Sequence, residues 1–231
     1  MCRLLGITNF EFSKHQQIVL NFCELARSGM VMKGDPPGHA DGWGVAFYQN
    51  GELEVYKSGG NLLEETDQAL ELLSKTRECP VVILHLRKSA WKNTTSFRHA
   101  HPFRYGNVAF AHNGTVYDYK ELIPDITPSV LRKDALDTEV FFHHFMRNPS
   151  PELGKAFLHT VSLIKSLCRY SALNCLFSDG LKLFAYRDYS REPAYYSLFK
   201  AFSGNSCFIS SQTLDKITCW ELMKKEEFLV V

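Results

Sequence analysis

Dense apolar runs alternate along the chain with stretches whose apolar residues recur every three or four positions. "WGVAFY" and "ELEVYKS", within 43–58, flank Asn50-Gly51, the pair best suited to a tight hairpin turn. "VVILHLR" (81–87) and "NVAFAH" (107–112) read as buried strands. "LNCLFS" (173–178) and "LKLFAY" (181–186) bracket Asp179-Gly180, a second hairpin signature, and 194–200, 207–211 and the terminal "FLVV" add short strands. Helical spacing appears three times: over 64–76 with Ala69, Leu72 and Leu73, after Asp137 with Val140, Phe141 and Met146, and over 151–169 from Leu153 to Cys168. Hairpins clustered around a block of helices predict an α+β fold with largely antiparallel sheets. Two sheets with helices outside suit the count, but periodicity leaves the layering open. There is no internal repeat or long linker, so one compact domain is expected.

Composition narrows the partners. Among 231 residues, 45% are hydrophobic and 22% charged, with a net charge of +1. That balance gives no general attraction to nucleic acid or an anionic membrane. A small molecule or another protein is the expected partner. Seven cysteines, an odd number with no C-x-x-C pair, suit free thiols in a reducing cytoplasm rather than a disulfide framework or zinc ribbon. No signal-peptide core opens the chain and no run reaches membrane-spanning length. A cytoplasmic protein is expected.

Cys2 directly follows Met1. Removal of Met1 would leave an α-amine with a reference pKa of about 7.7–8 beside a thiol of about 8.5, a base within reach of a nucleophile. Position alone equally fits an incidental thiol. "AFAHNG" (109–114) ends an apolar strand with Asn113-Gly114; this is either a turn or an amide and backbone N–H converging as an oxyanion hole. Arg87 in "HLRKSA" (85–90) could be a surface cation or a bidentate partner for a carboxylate. Asp137 in "ALDTEVFFHHF" (135–145) could be a helix N-cap or a partner for an ammonium. The glycines of "HADGWG" (39–44) would let a strand start pass close to a site, whereas His39, Asp41 and Trp43 fit scaffold or site equally. His101 in "HPF" is expected in a pocket wall, His143 at the surface and His144 in the core.

As an ordered set, the N-terminal "CRLLG", "HADGWGVAFY", "HLRK", "HPF", "FAHNG", "DTE" and "SALNCLFSDG" resemble class II glutamine amidotransferase domains, members of the N-terminal nucleophile hydrolases. The resemblance is strongest to the stand-alone branch that includes a glutathione-degrading subunit and an ergothioneine-pathway γ-glutamyl amidase. It spans roughly residues 2–220. It implies a four-layer α/β/β/α sandwich of two antiparallel sheets, with residues 2–231 as one domain after loss of Met1. It implies Cys2 as nucleophile, Asn113 and Gly114 as oxyanion donors, and Arg87 and Asp137 as ligands of the α-carboxylate and α-ammonium, with no cofactor. The implied substrate is glutamine or a γ-glutamyl small molecule, and a protein partner could accept the ammonia.

The chain departs from that pattern at Ser89-Ala90 (commonly Ala-Thr), Arg98-His99-Ala100 (often Glu-Asn-Thr) and Ser211-Gln212-Thr213-Leu214 (frequently Ser-Glu-Pro-Leu). All three are expected to rim the pocket and bear on substrate identity. Two other classes are kept: a metal-dependent hydrolase built on His99 and His101 with His85, His112 and Asp137, and a non-catalytic regulatory subunit of the same fold.

Overall fold

The computed structural model describes residues 2–76, 79–125, 131–148 and 150–231. Met1, on whose removal the expected chemistry depends, lies outside the described residues. Twelve strands and five α-helices occur among the described residues. They are β1 (Arg3–Phe10), α1 (Phe12–Cys23), α2 (Leu25–Ser28), β2 (Trp43–Gln49), β3 (Glu52–Ser58), α3 (Thr66–Ser74), β4 (Cys79–Leu86), β5 (Phe103–Tyr105) and β6 (Val108–Val116), then α4 (Asp137–Met146), α5 (Leu153–Leu167), β7 (Tyr170–Ser178), β8 (Leu183–Arg187), β9 (Phe199–Ser203), β10 (Ser206–Ser210), β11 (Glu221–Leu222) and β12 (Glu227–Val230). A short 3-10 helix, Tyr119–Asp125, precedes α4.

Every strand pairing within the two sheets is antiparallel. One sheet runs β11-β9-β10-β1-β4-β2-β3 and the other β12-β8-β7-β6-β5. Side-chain alternation sorts each strand between two cores. On β4, Val82, Leu84 and Leu86 join Val19 and Phe22 of α1 and Leu73 of α3, whereas Val81 and Ile83 face the other sheet. That double burial is why the strand reads as one unbroken apolar run. On β7, Leu173, Cys175 and Phe177 pack against Phe141 and Phe145 of α4 and Phe157 of α5. The central layer joins Leu4, Ala46, Val81, Ile83 and Ile209 to Ala109, Ala111, Leu176, Leu183 and Ala185. The order of layers is therefore α/β/β/α.

The outer core around Phe177 is aromatic. Its ring lies 4.6 Å from those of both Phe157 and Phe184 and 5.3 Å from that of Phe145. Phe177→Ala is expected to cost about 3–5 kcal/mol, lowering the calorimetric midpoint by roughly 10 °C.

The pattern missed β1 and α1. Of 194–200, only Phe199 and Lys200 enter a strand. The third periodic stretch is a helix over Leu153–Leu167, and the first is limited to Thr66–Ser74. His143 and His144 are both half-buried, not split between surface and core, because α4 packs one flank on the sheet and leaves both imidazoles at its margin. Asn113-Gly114 is not the strand-terminating turn that its composition allows. β6 continues through it to Val116, pairing Asn113 with Asn174 and Gly114 with Leu173, and the register shifts only between Gly114 and Val116.

Candidate active site

β1 and β4 lie side by side with Arg3 opposite Leu86, which sets Cys2 beside Arg87 at one end of the larger sheet. From the smaller sheet, β6 brings Gly114 and Thr115, and the start of α4 brings Asp137 and Thr138. These residues line one cavity with Lys88, Ser89, Ala90, Trp91, His99, His101, Phe103 and Leu136. Five of the six site residues expected from the sequence thus share a wall: Cys2, Arg87, His101, Gly114 and Asp137. Asn113 is not part of it. Its side chain is fully buried, and neither amide atom has a hydrogen-bond partner among the described residues.

Cys2 is 7% exposed, with Sγ 3.8 Å from the Lys88 carbonyl oxygen. Burial pushes its thiol above the usual range, opposed by the nearby Arg87 guanidinium. A thiol so placed needs a base to become a nucleophile. Asp137 opens α4; its Oδ2 accepts the Val116 N–H at 2.9 Å and its Oδ1 the Trp91 indole N–H at 3.1 Å. Burial raises its carboxyl, while His112 and these donors pull it back down. Arg87 donates through Nη1 to the Thr94 carbonyl (2.8 Å) and through Nη2 to the Ser89 and Thr94 hydroxyls (2.9 Å each). Ser89 donates its N–H to Asp41 Oδ2 at 2.8 Å, so Asp41 anchors the loop after β4.

Glycine is required where the layers meet most closely. A Cβ on Gly114 would lie 1.9 Å from the Ala172 carbonyl oxygen, and one on Gly44 would lie 2.3 Å from that of His101. No side chain survives such approaches. The expectation that "HADGWG" glycines permit a close pass beside the site holds at Gly44. The other members of that motif divide. His39 is buried, accepting from Arg3 Nε and contacting the Leu25 carbonyl, and Trp43 is core, donating to Glu65 Oε2 at 2.6 Å.

His101, in the cavity wall, packs with two further buried imidazoles, His85 and His112. His112 donates from Nε2 to the Ala172 carbonyl (3.0 Å), because a carbonyl can only accept, which leaves Nδ1 to take the Thr138 hydroxyl proton (3.1 Å). His101 Nδ1 accepts the His112 N–H, and its ring lies 4.2 Å from that of His85. Burial holds all three well toward their neutral forms. His99, separate from them, faces Asp134 at 3.9 Å. Among the described residues no group of three or more His, Cys, Asp or Glu is arranged to hold a metal ion.

Sequence reasoning missed Trp91 and Thr94, which belong to an irregular loop with no periodicity to mark them. The one signal was the Ser89-Ala90 departure. The hydroxyl has moved one residue toward Arg87 and bonds it directly. His99, from the second departing segment, also lines the cavity. Ser211–Leu214 does not. Ser211 is tied to β1, where its Oγ accepts the Leu4 N–H at 2.9 Å.

Several known proteins resemble this chain. The protein MJ1515 of Methanocaldococcus jannaschii is 30% identical over 82% of this chain and 51% of its own length. The chain thus spans about half of that relative. The glutamine phosphoribosylpyrophosphate amidotransferase from B. subtilis superposes with a TM-score of 0.71 at 21% identity, over 99% of this chain and 47% of that one. A glutamine aminotransferase class-II domain protein from Silicibacter pomeroyi gives 0.65 at 19% identity, over 100% and 94%. At such identities these two superpositions establish the shared fold. Residues 1–201 match the class II glutamine amidotransferase family throughout, and the chain belongs to that family.

Proposed function

We propose that residues 2–231 act as one glutamine amidotransferase-type domain. It hydrolyses the γ-amide of glutamine or of a γ-glutamyl compound, with Cys2 as nucleophile once Met1 is removed. The convergence of Cys2, Arg87, Asp137 and Gly114 on one cavity carries this reading. In the proposed sequence the Cys2 amine takes the thiol proton and Sγ bonds to the amide carbon. The carbonyl π electrons move onto oxygen, stabilised by the Gly114 N–H and by the Asn113 amide, which must turn from its buried position toward the cavity. Collapse expels ammonia or an amine, which leaves with the proton held on the terminal nitrogen. Water then cleaves the γ-glutamyl thioester, releasing glutamate and restoring the thiol. The family membership also suits a protein partner that accepts the ammonia.

Arg87 and Asp137 carry the opposite charges that an α-amino acid head group requires. In the structure both are hydrogen-bonded by the loop after β4: Thr94 and Ser89 on Arg87, Trp91 on Asp137. An α-amino acid head group that binds both charges therefore competes with these loop contacts.

Glutamate release from glutamine, from γ-glutamyl peptides and from γ-glutamyl amines by protein with a verified Cys2 terminus tests the reading. No release from any of them would overturn it. Asn113→Ala is expected to lower kcat by about 10²–10³-fold while the thermal midpoint stays the same or rises, because the amide it removes has no partner among the described residues. Equal losses of kcat and stability would contradict an oxyanion role.

A further inference from the structure

A second cavity, of about 330 Å³, adjoins the first across Phe103. Its walls include Lys57 of β3, Arg104 of β5, Arg132, and Glu139 and His143 of α4. Glu139 is the one acidic residue among its described lining residues, and that carboxylate is committed to Arg132, which donates to it from both Nε and Nη2. Arg104 spends its donors on the neutral carbonyls of Gly106 and Leu53. The Lys57 ammonium stands over the Phe103 ring at 4.7 Å, with no hydrogen-bond acceptor among the described residues. Burial draws its pKa down to about 8, and Arg132 repels it more than Glu139 attracts it. His143 adds a buried Nδ1 without a hydrogen-bond partner among the described residues. Three cations and one anion thus face a space large enough for a small ligand.

We infer that this cavity is a binding site for an oxyanion, a carboxylate or a phosphate, held by Lys57 with Arg104 and His143 beside it. The charge inventory stands independently of the reaction proposed above. The anion has two sources: a free metabolite, or a carboxylate borne by the amine portion of a γ-glutamyl substrate. Inorganic phosphate titrated into the full chain, followed by thermal shift and by isotope-edited NMR of the lysine Cε resonances, reads the site without turnover. Phosphate is expected to move the Lys57 signal and raise the midpoint. Lys57→Met should weaken binding at least tenfold, whereas Lys182→Met, on an exposed turn, should leave it unchanged. In a second arm, kcat/KM is compared for γ-glutamylglycine and γ-glutamylethylamide. A tenfold or greater loss in Lys57→Met confined to the glycine substrate assigns the site to the substrate's own carboxylate. Phosphate binding with no such discrimination assigns it to a free anion. If phosphate binds wild type and Lys57→Met alike and the two substrates are affected equally, the inference is overturned, even where glutamine itself is hydrolysed normally.

Discussion

Cys2→Ala is expected to abolish glutamate release, with a loss of at least about 10⁴-fold, on the scale seen when a nucleophile is deleted. Alanine is small enough to permit methionine removal, so the variant keeps the terminal amine and lacks only the sulfur. The side chain is nearly buried but small, and folding should be affected by about 1 kcal/mol or less. A glutamine-mimicking diazoketone read by intact mass provides the companion measurement. All seven thiols are free, and Cys219 is the exposed one, so labelling is best performed in a Cys219→Ser background. Rapid single labelling should disappear with Cys2→Ala. Protein retaining Met1 should be inactive although its thiol is present, because the base then sits on the wrong residue. Full activity with Met1 attached would sink the assignment.

Acidification is expected to unfold the protein cooperatively between about pH 6 and pH 4. His39, His85, His101 and His112 are all buried, and all four are held below the ordinary histidine value, chiefly by burial. For His39 the folded value is about 3. An unfolded chain takes up these protons near pH 6.5, whereas the folded chain refuses them until far lower. Between those limits the unfolded state binds more protons, so stability falls as pH falls and is fully present above about pH 6.5. Each such group contributes a slope of up to about 1.4 kcal/mol per pH unit. Asp137 acts in the opposite sense, since its raised pKa lets the folded state bind a proton first, and it offsets part of one histidine. The remaining slope, about 4 kcal/mol per unit, exhausts a typical folding stability within a few units. Circular dichroism against pH, with calorimetric proton uptake, checks this. A fully folded protein at pH 4 would contradict it.

The antiparallel sheets were legible because hairpin chemistry is local. Asn50 and Gly51 both take positive φ (53° and 81°), as the turn demands, and Gly180 does so at 91°. β1 was not legible: Arg3, Gly6, Thr8 and Asn9 interrupt its apolar pattern, and each is explained only by distant partners. Arg3 reaches His39 and the Ser211 carbonyl, and Gly6 would meet the Leu183 side chain at 2.9 Å if it carried a Cβ. The positions of Cys2, Arg87, Gly114 and Asp137 in one wall follow an order of motifs readable along the chain. The hydrogen bonds of Trp91, Ser89 and Thr94 arise in a loop whose shape depends on Asp41, 48 residues before Ser89. No periodicity encodes such a contact.

Four alanines stand among the residues that separate the two sheets: Ala46, Ala109, Ala111 and Ala185. The sulfur belongs to one sheet and the Asn113 amide to the other, so the thickness of this alanine seam sets how far apart they stand. Enlarging a spacer such as Ala185, on a strand that carries none of the proposed reacting groups, would wedge the leaves open and detune turnover through distance alone.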